Sequence, residues 1–175
     1  DFRAAERTFQ LLTQVSGRAG RGEKPGRVII QTFSPENYAI QACVQGNDES
    51  FYRQELAWRR EAGYPPYRQL ISLVLSSPVE GACVEASDLL RGILEDSLPP
   101  DRVELLGPAS APISRLKGKY RYHLLIKSED LDPMKPLLRE ALSSFEHRKA
   151  GVLKGHGLSK EGLGLAVDVD PASLL

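Results

Sequence analysis

Two adjacent prolines, Pro65 and Pro66, flanked by Tyr64 and Tyr67, constrain the possible folds more than any other feature of the sequence. Each proline lacks a backbone N–H and fixes φ, so the pair ends any helix that approaches it and holds the chain extended. The aromatic flanks imply a link packed against something rather than a loose tether. A domain boundary is expected here, with residues 1–67 forming one unit that includes the link and residues 68–175 a second. A length of 175 residues, 41% hydrophobic and 26% charged, fits one or two small globular domains.

Ahead of the prolines, Phe2, Ala5, Phe9, Leu11, Leu12 and Val15 keep an apolar helical spacing, which predicts a helix of about four turns. It delivers Gln14 and then Gly17-Arg18-Ala19-Gly20-Arg21-Gly22 at its C-terminal end, where cations are favoured. Two arginines three residues apart among glycines are suited to holding a phosphate: guanidinium groups are always charged and grip oxygens in pairs, and glycine admits a close backbone approach. A solvated basic turn is the plainer reading of the same residues. Past the Pro25-Gly26 turn, Val28 to Phe33 is rich in β-branched and aromatic residues and reads as a buried strand. Ser34-Pro35 reads as an N-cap followed by the first helical residue, opening a helix to Gly46. A second helix is expected from Asp48 or Ser50 to about Ala62.

Beyond the prolines, strand and helix patterns alternate. Residues 69–76, 103–108, 120–127 and 164–170 read as strands, with Ile113 to Leu116 joining the third in a hairpin that turns at Lys117-Gly118-Lys119. Residues 79–98 and about 131–147 read as amphipathic helices. The glycine-rich passage from Gly151 to Gly164 reads as a loop and contains no phosphate-cradling P-loop pattern. The expected order is β-α-β-β-α-β, an α+β domain with two helices over an antiparallel or mixed sheet. Such a fold names no function on its own.

Chemistry-bearing residues cluster in the hairpin. Arg115, Lys117, Lys119, Arg121 and Lys127 fall in a stretch without Asp or Glu, interleaved with Tyr120 and Tyr122. Alternation puts the two tyrosines on one strand face and Lys119, Arg121 and His123 on the other. The cations can hold phosphates, while the tyrosines either stack on bases or complete the core. A solvated basic hairpin is the alternative. Formal net charge is zero, so nucleic-acid binding has to come from a local patch such as this one.

Other candidates carry less. Cys43 and Cys83 form no C-x-x-C pair and read as small buried residues. His123, His147 and His156 have no catalytic partner at a telling spacing. Asp168 and Asp170 share a strand face but lack a third ligand, so no metal site is expected. No apolar run reaches the roughly 20 residues that span a bilayer, and a cytoplasmic location without membrane contact is expected. The chain begins without methionine and enters helical pattern at once, as expected of a piece of something larger.

The string Gln14-x-x-Gly17-Arg18-x-Gly20-Arg21 resembles the last motif of superfamily 2 helicases. Asp1 to Gly22, Val28 to Thr32 followed by Pro35-Glu36, Glu55 with Arg59 and Arg60, Tyr64 to Tyr67, Leu106-Gly107-Pro108 and the closing Val167-Asp168-Val169-Asp170-Pro171 together resemble the PriA family of bacterial replication-restart helicases. The resemblance spans nearly the whole chain. It implies that residues 1–67 end a RecA-like helicase lobe, an α/β element, with Gln14, Arg18 and Arg21 as catalytic residues facing ATP and Mg held by another lobe. It implies that residues 68–175 form a DNA- and partner-binding domain, with Arg115, Lys117, Lys119, Tyr120, Arg121 and Tyr122 as candidate contacts. The family's activity is ATP-dependent 3′-to-5′ unwinding at stalled forks, coupled to primosome assembly. Its Walker motifs and zinc-binding cysteines have no counterpart in these residues, so the fragment alone is expected to be inactive. The implied partners are branched and single-stranded DNA, single-stranded DNA-binding protein and other primosome proteins. A module that receives the acidic tail of single-stranded DNA-binding protein, rather than DNA, is the competing reading.

Overall fold

The computed structural model describes residues 1–19 and 27–174. They divide into two units, Asp1–Ala62 and Gly63–Leu175. The boundary follows directly on a helix, so Tyr64 to Tyr67 belong to the second unit and not, as expected from sequence, to the first.

The first unit is built from helices α1 (Ala4–Ala19), α2 (Tyr38–Gln45) and α3 (Asp48–Glu61). Its core is small: Phe9, Ala39, Ala42 and Phe51 are buried. Phe9 stacks on Phe51 with ring centroids 4.1 Å apart, and Tyr38 lies against the same ring at 5.8 Å. The start of α2 corrects the sequence reading. Ser34 does not cap it; Asn37 does, its side chain accepting the Ala39 N–H at 3.0 Å, while Gly46 closes the helix at φ 62°. Asn47 caps α3 in the same way, with Asp48 and Glu49 in its first turn and Arg59 and Arg60 in its last, as the helix dipole favours.

The strand expected over Val28 to Phe33 is not formed. Ile29 is 79% exposed and Phe33 is fully exposed. β-Branched composition favours an extended backbone, but a strand needs a neighbour for its N–H and C=O groups. The described residues of this unit offer helices and irregular segments only.

The second unit carries β1 (Gln69–Ser77), α4 (Glu80–Ser97), β2 (Glu104–Leu116), β3 (Lys119–Ser128), α5 (Lys135–Gly155) and β4 (Gly164–Val169). The β-α-β-β-α-β order is therefore the one read from the sequence. The sheet is antiparallel throughout, in the order β2-β3-β1-β4. One face, carrying Ile71, Leu73 and Leu75 of β1 and Leu124 and Ile126 of β3, packs with α4 and α5 into a single core. Ala82, Cys83, Ala86, Leu90, Ile93 and Leu94 form the buried stripe of α4 at the expected helical spacing.

Two bounds differ from expectation. The segments 103–108 and 113–116 are one strand, β2, whose pairing with β3 shifts register between Leu106 and Ala109 and again between Ser110 and Arg115. At the first shift Gly107 sits at φ +90°, and a Cβ there would lie 2.6 Å from the His123 carbonyl oxygen, so the bulge requires glycine. Helix α5 runs on to Gly155, and residues 151–155 form its last turns instead of a loop. Buried Val152 and Leu153 continue the stripe begun by Leu138, Ala141 and Phe145, and this burial outweighs the low helix propensity of Gly151.

Candidate nucleic-acid interface

Strands β2 and β3 meet in a two-residue turn. Lys117 and Gly118 both have positive φ, 50° and 79°, between the paired residues Leu116 and Lys119. Positive φ at both central positions defines the type I′ turn, whose twist matches that of the flanking strands. Glycine adopts it freely, whereas Lys117 is an uncommon residue there. Arg115, Lys117, Lys119 and the apolar Ile113 and Leu116 are exposed around this tip.

The pleat sorts the candidate contacts as expected and decides what the tyrosines do. Tyr122 faces the core, where its ring packs against the buried cluster and its hydroxyl reaches Glu80 Oε1 at 3.5 Å. It is therefore a packing residue first. Tyr120 pairs across the ribbon with Arg115, whose guanidinium lies over its ring at 5.0 Å from the centroid. Beneath the strand, the Cys83 thiol donates to the Tyr120 carbonyl at 3.6 Å, and burial raises the pKa of that thiol. Cys83 is thus the inert buried residue expected from sequence.

Arg121 and His123 project from the sheet face opposite the α4–α5 core. Arg121 donates to the Ile113 carbonyl at 3.2 Å, which ties its guanidinium to the ribbon below the tip. Strands β1, β3 and β4 then bring Ser72, Ser76, Arg121, His123 and Asp168 around one open depression of about 280 Å³. Burial, and next the Arg121 cation, hold the His123 imidazole below its ordinary pKa, so it is neutral at pH 7. Sequence reasoning treated Asp168 as half of a pair with Asp170, but the two part company. Asp170 leaves the strand at φ 51°; its N–H donates to the Leu70 carbonyl at 2.8 Å, and its carboxylate Oδ1 accepts the Leu70 N–H at 3.5 Å. The grouping of Asp168 with Arg121 and His123 depends on strand order, which no local pattern encodes. No group of three or more His, Cys, Asp or Glu able to hold a metal ion occurs among the described residues.

Sequence analysis grouped Lys127 with the hairpin cations, but the structure takes it out of that patch. It is buried, with its ammonium 4.2 Å from the centroid of the Tyr64 ring and 3.8 Å from Glu104 Oε1. A cation sandwiched in this way holds the Tyr64-Pro65 segment to β3. Its place among the apolar residues Leu124 to Ile126, in the buried half of β3, was the signal that separates it from the exposed cations of the tip.

In the first unit, Gln14 and Arg18 lie one turn apart on α1, and both are exposed. Gln14 lines a shallow recess with Arg7, Gln10 and Leu11. Arg21 lies outside the described residues. The other end of α1 is fixed by a polar cluster around the buried Glu55: Glu55 receives the Tyr38 hydroxyl at 2.5 Å and Arg59 at 2.6 Å, and Arg59 also reaches Glu6 at 2.8 Å. Burial pulls the Arg59 pKa down, but its bonds to Glu6 and Glu55 outweigh this and leave it raised. The bond from Arg3 is the largest influence on Glu6 and leaves its carboxyl below the usual range.

Residues 60–172 match the family model described as the primosomal protein N C-terminal domain. The chain belongs to the PriA family. It is 39% identical over 175 residues to the replication restart protein PriA of Bacillus subtilis, covering all of this chain and 20% of that protein. It is 41% identical over 174 residues to the PriA of Synechocystis, covering 99% of this chain and 19% of the relative. The PriA of Thermotoga maritima is 38% identical over 142 residues, or 81% of this chain. The chain thus spans about a fifth of the length of these PriA relatives. No helix among its described residues is long and apolar enough to cross a membrane.

Proposed function

We propose that this chain is the C-terminal part of an ATP-dependent 3′-to-5′ DNA helicase that acts at stalled replication forks and restarts replication by primosome assembly. The names of the relatives support the restart role. The observation that carries a DNA-binding role for the fragment itself is the exposed cationic tip of the β2–β3 ribbon, Arg115, Lys117 and Lys119, continued by Arg121. These side chains grip phosphates and displace counterions, so affinity falls as salt rises. Replacing Lys117, Lys119 and Arg121 by Gln weakens fork binding and flattens its salt slope, as measured by fluorescence anisotropy. Unchanged affinity and slope return the ribbon to a solvated basic hairpin. If an acidic peptide competes with the fork for the same residues, the tip also serves protein partners such as the tail of single-stranded DNA-binding protein.

For the first unit, Gln14, Arg18 and Arg21 are proposed to complete the ATPase of the full-length protein at the end of a RecA-like lobe. The exposed Gln14 and Arg18 on one face of α1 support this assignment. ATP and Mg would be held by residues outside this chain. The arginines would neutralise charge developing on the γ-phosphate, and loss of such a group lowers turnover by roughly three to five orders of magnitude. In the full-length protein, Arg18→Ala is expected to suppress DNA-stimulated ATP hydrolysis while leaving DNA affinity intact. Near-normal turnover would remove the assignment.

A further inference from the structure

The basic ribbon is poorly equipped to bind single strands and better equipped for duplex. Sequence-independent grip on unpaired bases relies on aromatic faces for stacking. Here Tyr122 is committed to the core, and one face of Tyr120 is taken by the Arg115 guanidinium. What the tip does expose is aliphatic: Ile113 is 45% and Leu116 48% exposed. Leu116 lies directly opposite Lys119, at the last pair before the turn, and therefore on the same ribbon face as Lys119 and Arg121. Leu116 thus leaves about half of its surface open at the end of the ribbon.

The surroundings of Leu116 identify the occupant. Two antiparallel strands about 5 Å apart, closed by a two-residue turn, form a ribbon narrow enough to enter a DNA groove. Cations flank it, and no acidic side chain lies between Arg115 and Lys127 to repel phosphates. Proteins that combine groove-lining cations with an apolar wedge insert that wedge between base pairs and unstack one step. We propose that the β2–β3 ribbon docks in a groove of duplex DNA, with Leu116 as an aliphatic wedge against the base pairs, while Lys117, Lys119 and Arg121 hold the bordering phosphates. This rests on the DNA-binding reading above and specifies which form of DNA that site takes.

The 175-residue chain is titrated with a blunt duplex and a single strand of equal length and sequence, the duplex carrying 2-aminopurine at successive steps. The duplex is expected to bind at least about tenfold more tightly than the single strand, with 2-aminopurine fluorescence rising at an unstacked step. Leu116→Ser is expected to weaken duplex binding by about tenfold, abolish that rise and leave single-strand binding within about twofold. Circular dichroism checks that the sheet persists, and the milder Leu116→Ala variant should show the same selective loss. Equal or tighter single-strand binding, or a duplex complex without the fluorescence change, overturns the wedge. If replacing Lys117, Lys119 and Arg121 leaves binding to both probes unchanged, the DNA-binding reading itself fails.

Discussion

The two units of this chain hold themselves together by different means. In Gly63–Leu175, a four-stranded sheet and two long helices enclose one continuous apolar core. In Asp1–Ala62, only a few apolar residues are buried, and the helices are also tied by the charged cluster of Glu6, Glu55 and Arg59 with the Tyr38 hydroxyl. Meanwhile Ile29 and Phe33 of this unit lie exposed. An apolar core is tolerant of salt and pH, whereas a cluster of buried charges depends on every partner keeping its ionisation. The contrast therefore predicts different responses to mutation and to acid.

The largest effect is expected from Phe145→Ala. This ring is fully buried between α5 and its neighbours, and its loss should cost about 3–5 kcal/mol, read by chemical denaturation of the second unit. A cost near 1 kcal/mol would show that this core is looser than its burial implies. Arg59→Met is expected to come next, at about 3 kcal/mol, because it leaves the buried Glu55 carboxylate without its cation. Acid sharpens the same point. The Glu6 pKa is depressed in the folded state, so its contribution is present above the ordinary glutamate pKa and is lost as pH falls through the folded value. In an acid titration followed by helix ellipticity, wild type should lose stability below about pH 4.5, and Arg59→Met should show a shallower loss. Identical acid profiles would remove the charged cluster as a distinguishing feature of the first unit.

Gly107→Ala is smaller in extent, at about 1–3 kcal/mol, because the new methyl meets the His123 carbonyl and φ +90° strains alanine. Hydrogen exchange at the β2–β3 pairing would register it locally. The smallest effect is expected from Lys117→Asn, which suits the positive φ of the turn. It should raise ribbon stability by about 0.5 kcal/mol while lowering the salt slope of DNA binding by about one. A change in both of the same sign would mean that the turn's shape, and not the lysine charge, governs binding.

The second unit was largely legible because its residues satisfy one another locally. The stripe from Ala82 to Leu94 and the alternation from Tyr120 to Ile126 each encode a buried face without reference to the rest of the chain. Its misread bounds come from glycine: Gly107 conceals a bulge in a continuous strand, and Gly151 conceals the last turns of α5. In the first unit, Val28 to Phe33 has the composition of a strand, but composition cannot supply a pairing partner. For the interface, alternation separated Tyr120 and Tyr122 from Lys119, Arg121 and His123. That Tyr122 joins the core, and that Asp168 comes beside His123, follows from the β3-β1-β4 order set by residues far apart in the chain.

The buried ammonium of Lys127 beneath Tyr64 has a practical consequence for dissecting the molecule. The aromatic ring that shields it precedes both prolines, so an independently expressed second unit should begin at Gly63. Cutting after Pro66 would remove the ring and leave the Lys127 ammonium open to water on that side, at the loss of its cation–π contact.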